Sequence, residues 1–294
     1  MKYMDSSQVE KKMGTRIAKN NIAKSIFFLS TLVGLVVLVV LFYRVISASI
    51  GWIDFEFLTN KLSTNPDKAG ILGAISGSFW LMVVVAPLTL ILGVGTAIYL
   101  EEYAKKGKFT SFIQMNISNL ASVPSIVFGL LGMTVFLRGM SLGNIVLTGG
   151  LTMSLLILPV VVVSSQEAIR AVPGFLREAS FGMGATKWQT IRNVVLPTSL
   201  PGILTGVILA LSRAIGETAP LTVLGIPALL MPIPFGIFDK FTVLPLQIYY
   251  WTVDAALVAE YASLASATIV VLLVLLFLMN SIAIIIRNKF QKRF

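Results

Sequence analysis

Two ionisable residues stand inside an apolar run late in the chain, Arg213 and Glu217. Four residues apart on a helix, they share a face and can pair. At ~1.5 Å per residue, Arg213 is ~18 Å along a helix counted from Pro201, near the middle of a bilayer core. An ionised group at that depth costs about 2.5–3.5 kcal/mol on insertion scales. Two roles are open: a self-neutralising structural pair, or a point on an anion pathway. Gly216, Thr218 and Pro220 beside the pair point to local helix irregularity, which would turn free backbone groups toward a cavity. Asn116, Asn119, Ser122 and Ser125 fit either the lining of that cavity or bonds between helices.

Composition narrows the chemistry further. The chain has 294 residues, of which 56% are hydrophobic and 12% charged, so it reads as a polytopic membrane protein. It contains no Cys and no His, which excludes disulfides, thiolate metal sites, Cys nucleophiles and imidazole acid–base work. An intramembrane enzyme built on Glu217 lacks a second carboxylate in a span nearby. The net charge of +10 reflects basic residues flanking the membrane, with no basic face interleaved with aromatics for nucleic acid.

The elements that must position these residues follow from run lengths. Residues 1–25 are a polar, basic tail. The tract Ile26–Tyr43 exceeds the apolar core of a signal peptide, so 26–46 reads as a retained first span. Residues 47–70 form an external polar loop. A core of 71–286 follows, with apolar runs at 71–100, 112–137, 145–163, 200–224 and 263–286. Gly73 and Gly77, and Gly202 and Gly206, have the spacing of close helix approach. Pro87 stands where it can kink the second run, and Pro124 interrupts the third. The proline-rich stretch 225–262 reads as an external interfacial or re-entrant loop with short helices, and 287–294 as a basic tail. The expected fold is all-α with six transmembrane helices. Seventeen of the 23 basic residues fall on one side of this map and five on the other, with Arg213 inside a span. The positive-inside rule then puts both termini and the 164–199 loop in the cytoplasm of a multi-pass inner-membrane protein.

That loop is the longest polar interruption. Between Pro173 and Pro197 it holds Arg177, Glu178, Lys187, Gln189 and Arg192, with Gly182 and Gly184 near its middle. Two short helices joined at a glycine turn are expected. Phe175, Leu176, Ala179 and Met183 form an apolar stripe beside charges, suited to a socket on another protein or to the bilayer surface. Glu178 could bond such a partner or brace the loop. No P-loop lies in the chain: Gly182 to Lys187 has the wrong glycine spacing, and Trp188 stands where Ser or Thr is needed. Uphill transport would need a separate nucleotide motor.

The loop also carries a family resemblance. Glu178-Ala179-Ser180, three residues, Gly184, nine residues, then Val194-Val195-Leu196-Pro197 resembles the EAA loop of permease subunits in ABC importers, with Ser180 and Val194 as mild departures. Arg213-Ala214-Ile215-Gly216-Glu217-Thr218-Ala219-Pro220 resembles the R-x-x-G-E-T-x-P segment of phosphate importer permeases, and Ser122 to Leu130 is similar to the same group. The resemblance covers roughly residues 70–290. It implies a MetI-like type I importer permease fold and transport of inorganic phosphate. Sulfate, molybdate or tungstate permeases, which share the loop, are the alternative. It further implies a homologous second permease, giving a heterodimer, and an external phosphate-binding protein. A cytoplasmic ABC ATPase dimer would bind ATP and Mg²⁺ itself and leave this chain without a cofactor. Glu178, Ala179, Gly184, Leu196 and Pro197 would then couple to the ATPase, and Arg213, Glu217 and Thr218 would belong to the substrate pathway.

The charge map makes a direct prediction. Because the chain has no Cys, Lys187→Cys supplies its single thiol. A membrane-impermeant thiol reagent should leave it unlabelled in sealed cells and label it in inverted vesicles; labelling in sealed cells contradicts the map.

Overall fold

A computed structural model describes residues 6–227 and 231–290. Among the described residues every regular element is helical, and an isolated antiparallel bridge joins Ile145 to Lys240. Five helical stretches are long and apolar enough to cross a bilayer: Arg16–Ser49, Leu72–Tyr103, Val146–Arg170, Lys187–Gly216 and Glu260–Lys289. A sixth crossing is assembled from Lys108–Leu120 and Ser125–Gly139, bent by 101° at the break. Large aliphatic and aromatic side chains stay exposed along the first and last helices, a surface that suits lipid and not water.

Helix α6 (Val146–Arg170) is the centre of the bundle. Helices α3 (Leu72–Ile98) and α9 (Leu196–Gly216) pack against it through small residues. Gly93 of α3 meets Val161, and Gly150 of α6 meets Val84. Gly202 and Gly206 of α9 seat on Ala168 and Ser164, so the expected close approach is made with α6. Gly77 does something different from the expected helix–helix contact. It faces the backbone carbonyl of Thr242, leaving room for an irregular segment instead of a second helix.

The third crossing needs its break. Helix α4 (Lys108–Leu120) runs beside the Arg170 end of α6, where Ser111 and Gln114 share a cavity with Glu101 and Arg170. Helix α5 (Ser125–Gly132) reaches the other half of α6, where Gly132 touches Thr152. The two halves together therefore traverse the bundle. Pro124 sits at the turn in extended backbone (φ −55°, ψ 137°), as a proline that starts a new helix does.

Two expected boundaries shift. The fifth span begins at Lys187 rather than Leu200, so Pro197 lies inside it and not at its junction with the loop. A π-helical turn, Ile191–Val195, lies just before that proline and contains Asn193, the residue whose carbonyl its ring would otherwise strike. The basic tail expected over 1–25 is helical from Ser6, as the start of α1 (Ser6–Ser49). At the other terminus α12 (Glu260–Phe290) carries the chain past Ile286, while Lys2, Lys292 and Arg293 lie outside the described residues. Helix α1 packs on α12, with Leu41 and Phe42 lining a shallow cleft with Ile269 and Leu273.

The end of the bundle away from Arg170 is closed by the segment leading into α11 (Leu244–Asp254). Phe241, Leu244, Leu246 and Gln247 are fully buried there. Ser78 of α3 accepts the Leu244 N–H at 3.0 Å, and Ser76 donates to the Pro234 carbonyl at 2.6 Å. Serines on α3 thus supply hydrogen bonds to the first N–H of α11, which has no partner within its helix, and to the irregular backbone before it.

Gly77→Val should lower the thermal stability of the detergent-purified protein by about 1–3 kcal/mol, the usual cost of overpacking. Gly95→Val, where a Cβ meets nothing within 4 Å, is the control and should change little. Equal melting temperatures for the two variants would refute the close approach to Thr242.

Candidate functional site

The connection between the fourth and fifth crossings is a short hairpin. Helix α7 (Gly174–Gly182) ends in a glycine turn and returns into α8 (Lys187–Thr190). Gly184 has φ +82°, and the N–H groups of Met183, Gly184 and Ala185 cap the last carbonyls of α7. Thr186 and Gln189 form a reciprocal capping box at the start of α8. Ser180 and Thr190 share a buried hydroxyl hydrogen bond of 2.9 Å across the hairpin. Ser180, the departure from the alanine of the family pattern, is therefore the residue that clips the two arms together. The second arm is not an independent helix as expected; it runs on unbroken into the fifth crossing. The fourth crossing likewise continues to Arg170, so the connection proper is 171–186, shorter than the expected 164–199.

Outward from the bundle the hairpin is apolar. Phe175 is 66% exposed and Met183 83%, and Ala179 lies exposed between them. Leu176, expected on the same stripe, turns inward and packs on the buried cluster around Ile169 and Val195. Trp188 is also exposed. Lys187 Nζ sits 5.0 Å from the centre of the Tyr103 ring.

Inward, the hairpin is held by ions. Glu101 and Glu102 lie in a π-helical turn, Tyr99–Tyr103, at the end of α3. Glu101 accepts from Gln166 Nε2 at 2.8 Å and from Arg170 Nη2 and Nε at 2.7 and 2.9 Å. Glu102 Oε1 accepts from Arg177 Nη2 and Nε at 3.0 and 3.2 Å. Arg177 also donates to the carbonyls of Val172, just past the end of α6, and of Ile169, at 2.7 and 2.9 Å; the Ile169 carbonyl accepts from the Val172 N–H as well. The Glu102 and Arg177 side chains are 11% and 23% exposed, so this pair is little screened; Arg170, at 54%, is more so. Glu178 is exposed and has no hydrogen bond or ion pair among the described residues. The bracing expected of Glu178 falls instead to its neighbour Arg177. Leu196 and Pro197 are half-buried at the base of α9, not on the outward face.

The second candidate set lies mid-bundle. The antiparallel register that pairs Gly206 with Ser164 puts Arg213 level with Ile157, halfway along α6. Leu209, Arg213 and Gly216 form one exposed stripe on α9. Helix α9 ends at Gly216, and Glu217 is its C-cap in extended backbone (φ −82°, ψ 124°). Arg213 and Glu217 are thus not on one continuous helix face as expected, and their closest approach is 3.9 Å, too long for a hydrogen bond. Arg213 is 55% exposed and Glu217 19%. Thr218 caps the short helix α10 (Ala219–Val223) and accepts at its carbonyl from the Thr222 hydroxyl. Pro220 and Val223 of α10 press on Gly129 of α5. Asn116, Asn119 and Ser122 are exposed on and just beyond α4, and the Asn116 amide bonds only within its own helix, to Phe112. They join no interhelical network among the described residues.

Residues 89–293 match the family described as "Binding-protein-dependent transport system inner membrane component". Among similar proteins, the phosphate transport system permease protein PstA of Mycobacterium leprae is 39% identical over 239 residues, covering 80% of this chain and 78% of that one. A probable ABC transporter permease protein, YqgI of Bacillus subtilis, is 36% identical over 202 residues and 69% of each chain. A chain of a bacterial alginate ABC transporter superposes with a TM-score of 0.67 at 16% identity, over 92% of this chain and 96% of that one. The MetNI methionine ABC transporter superposes at 0.61 with 18% identity, over 76% and 96%. At these identities the superpositions speak for the fold alone.

The hairpin geometry has two measurable consequences. Arg177→Met leaves the Glu102 carboxylate and the Val172 carbonyl without their donor, a loss of about 3–5 kcal/mol for a buried pair, reduced here by partial exposure. Amide hydrogen exchange over 171–186 should speed markedly in this variant, and unchanged exchange would remove the brace. Gly184→Ala meets no atom within 4 Å, so its cost is backbone strain alone, about 1–2 kcal/mol, read as a local rise in exchange and not as global unfolding.

Proposed function

The chain belongs to the family of binding-protein-dependent transport system inner membrane components, and from that premise we propose that it is the permease subunit through which an ABC importer moves inorganic phosphate. It is a membrane-spanning transport subunit. The observation that carries the substrate is Arg213 within R-x-x-G-E-T-x-P, exposed on the chain at mid-bundle depth. A guanidinium there keeps its charge and offers paired donors that match phosphate oxygens. Glu217, 3.9 Å away, tempers the field, so the anion is held weakly enough to leave. Thr218 stands at the helix break beside the pair. An open face at this depth is completed by a homologous second permease, in a heterodimer.

Both termini and the hairpin lie in the cytoplasm in this reading. The outward face of α7, Phe175–Ala179–Met183 with Glu178 beside it, docks into a groove of a cytoplasmic ATPase dimer, which binds ATP and Mg²⁺. Gly184 sets the turn, and Leu196 with Pro197 roots the second arm. An external phosphate-binding protein delivers the anion to the opposite end. The PstA name of a relative at 39% identity supports phosphate over sulfate, molybdate or tungstate.

Arg213→Gln should abolish phosphate uptake by the assembled transporter. Arg213→Lys should rescue it poorly, since an ammonium lacks the planar fork. Wild-type uptake by Arg213→Gln in a verified complex would take the pair out of the pathway. Uptake competed by sulfate or molybdate and not by phosphate would reassign the substrate.

A further inference from the structure

A polar seam joins α9 to α12. Ser212 Oγ lies 2.7 Å from the Ile208 carbonyl and 2.6 Å from Asn280 Oδ1. A hydroxyl has one proton and cannot donate to both. One turn-pair earlier on α9, Thr205 Oγ1 donates to the Pro201 carbonyl at 2.8 Å and accepts from Arg287 Nη1 at 3.4 Å. Thr205 and Ser212 are separated by the same interval as Asn280 and Arg287, so both contacts belong to one antiparallel register. The oxygen and nitrogen of an asparagine amide are assigned from their partners. Turning the Asn280 amide over lets Nδ2 donate to Ser212 while Ser212 donates to Ile208. Both α9 hydroxyls then behave alike, each donating back one turn and accepting from α12.

We propose that Asn280 is a positioning residue for Arg213, its amide donating to Ser212 and fixing the rotation of α9. Arg213 follows Ser212 by one residue, about 100° around the helix, so whatever holds Ser212 against α12 aims Arg213. On its other side α9 is seated on α6 by Gly206 and by the buried Ala210 and Ala214. These contacts leave the Leu209–Arg213–Gly216 stripe facing the open surface. The small residues on α6 permit sliding and rotation; hydrogen bonds in an apolar layer are directional and have few competitors. Arg287, the second contact of the seam, lies at the end of the span, where a long basic side chain reaches the interface. Asn280 is thus the polar group of the seam at the depth of Arg213. The importance of that aim rests on the reading of Arg213 as a pathway residue.

The test reads the rotation without relying on transport. Arg213→Cys supplies this chain's single thiol, and its modification by a water-soluble charged reagent is timed in the assembled transporter. Adding Asn280→Leu should slow modification about fivefold, the size of a hydrogen bond worth ~1 kcal/mol. Ser212→Ala should reproduce the effect, and the two together should add nothing. Ser281→Leu, at an exposed neighbour on α12, is the control and should leave the rate unchanged. With Arg213 native, Asn280→Leu should lower the maximal uptake rate while the complex still copurifies. Parental modification rates in both Asn280→Leu and Ser212→Ala would overturn the proposal. If those rates fall while Arg213→Gln still takes up phosphate, the positioning stands and the pathway reading fails.

Discussion

Two adjacent carboxylates, Glu101 and Glu102, tie the loose end of this bundle together. Each takes an arginine from a different element, Arg170 from the end of α6 and Arg177 from α7. Without them α7 would be joined to the rest by its chain ends, by Leu176 and by the Ser180–Thr190 hydrogen bond. With them it becomes a rigid extension of α3 and α6. Arg177 matters most because it also donates to the Val172 and Ile169 carbonyls and so ties α7 to the end of α6. A lysine in its place would keep the charge and lose the geometry. The hairpin therefore presents an apolar outer face on a base held by ions.

The arrangement at mid-bundle is different, for there Arg213 is not clamped. Its carboxylate neighbour stands 3.9 Å away at a helix end, near enough to lower the cost of the charge and too far to occupy its donors. Ending α9 at Gly216 is what sets that distance. Had the helix continued, Glu217 would have stacked one turn above Arg213 in the ordinary pairing geometry. The short helix α10 that follows packs on α5.

Much of this was legible in the residues themselves. Run lengths marked the crossings, because apolar stretches of membrane length leave few other readings. Gly182 and Gly184 foretold a glycine turn, and the positive φ of Gly184 locates it. Gly202 and Gly206 foretold a close helix approach, and α6 is the helix they meet. The glutamate brace was not legible. Glu102 and Arg177 are 75 residues apart, and Glu101 and Arg170 69 apart, so no local period relates them. Only the antiparallel packing of α3 on α6 brings them level. The start of the fifth crossing was misjudged because polar residues and Pro197 lower its hydropathy, while a π turn lets the helix pass. The target of Gly77 was hidden for a related reason: its partner is irregular backbone, which has no periodic signature.

If the hairpin docks an ATPase, as proposed, the Glu102–Arg177 brace is the link that would pass work to the bundle. That role is tested most directly by the number of phosphate ions moved per ATP hydrolysed in a reconstituted transporter carrying Arg177→Met. The outer face of α7 is untouched in that variant, so the ATPase should still associate and hydrolyse. The account predicts that hydrolysis continues while transport per ATP falls several-fold. A wild-type ratio in a fully assembled complex would contradict it.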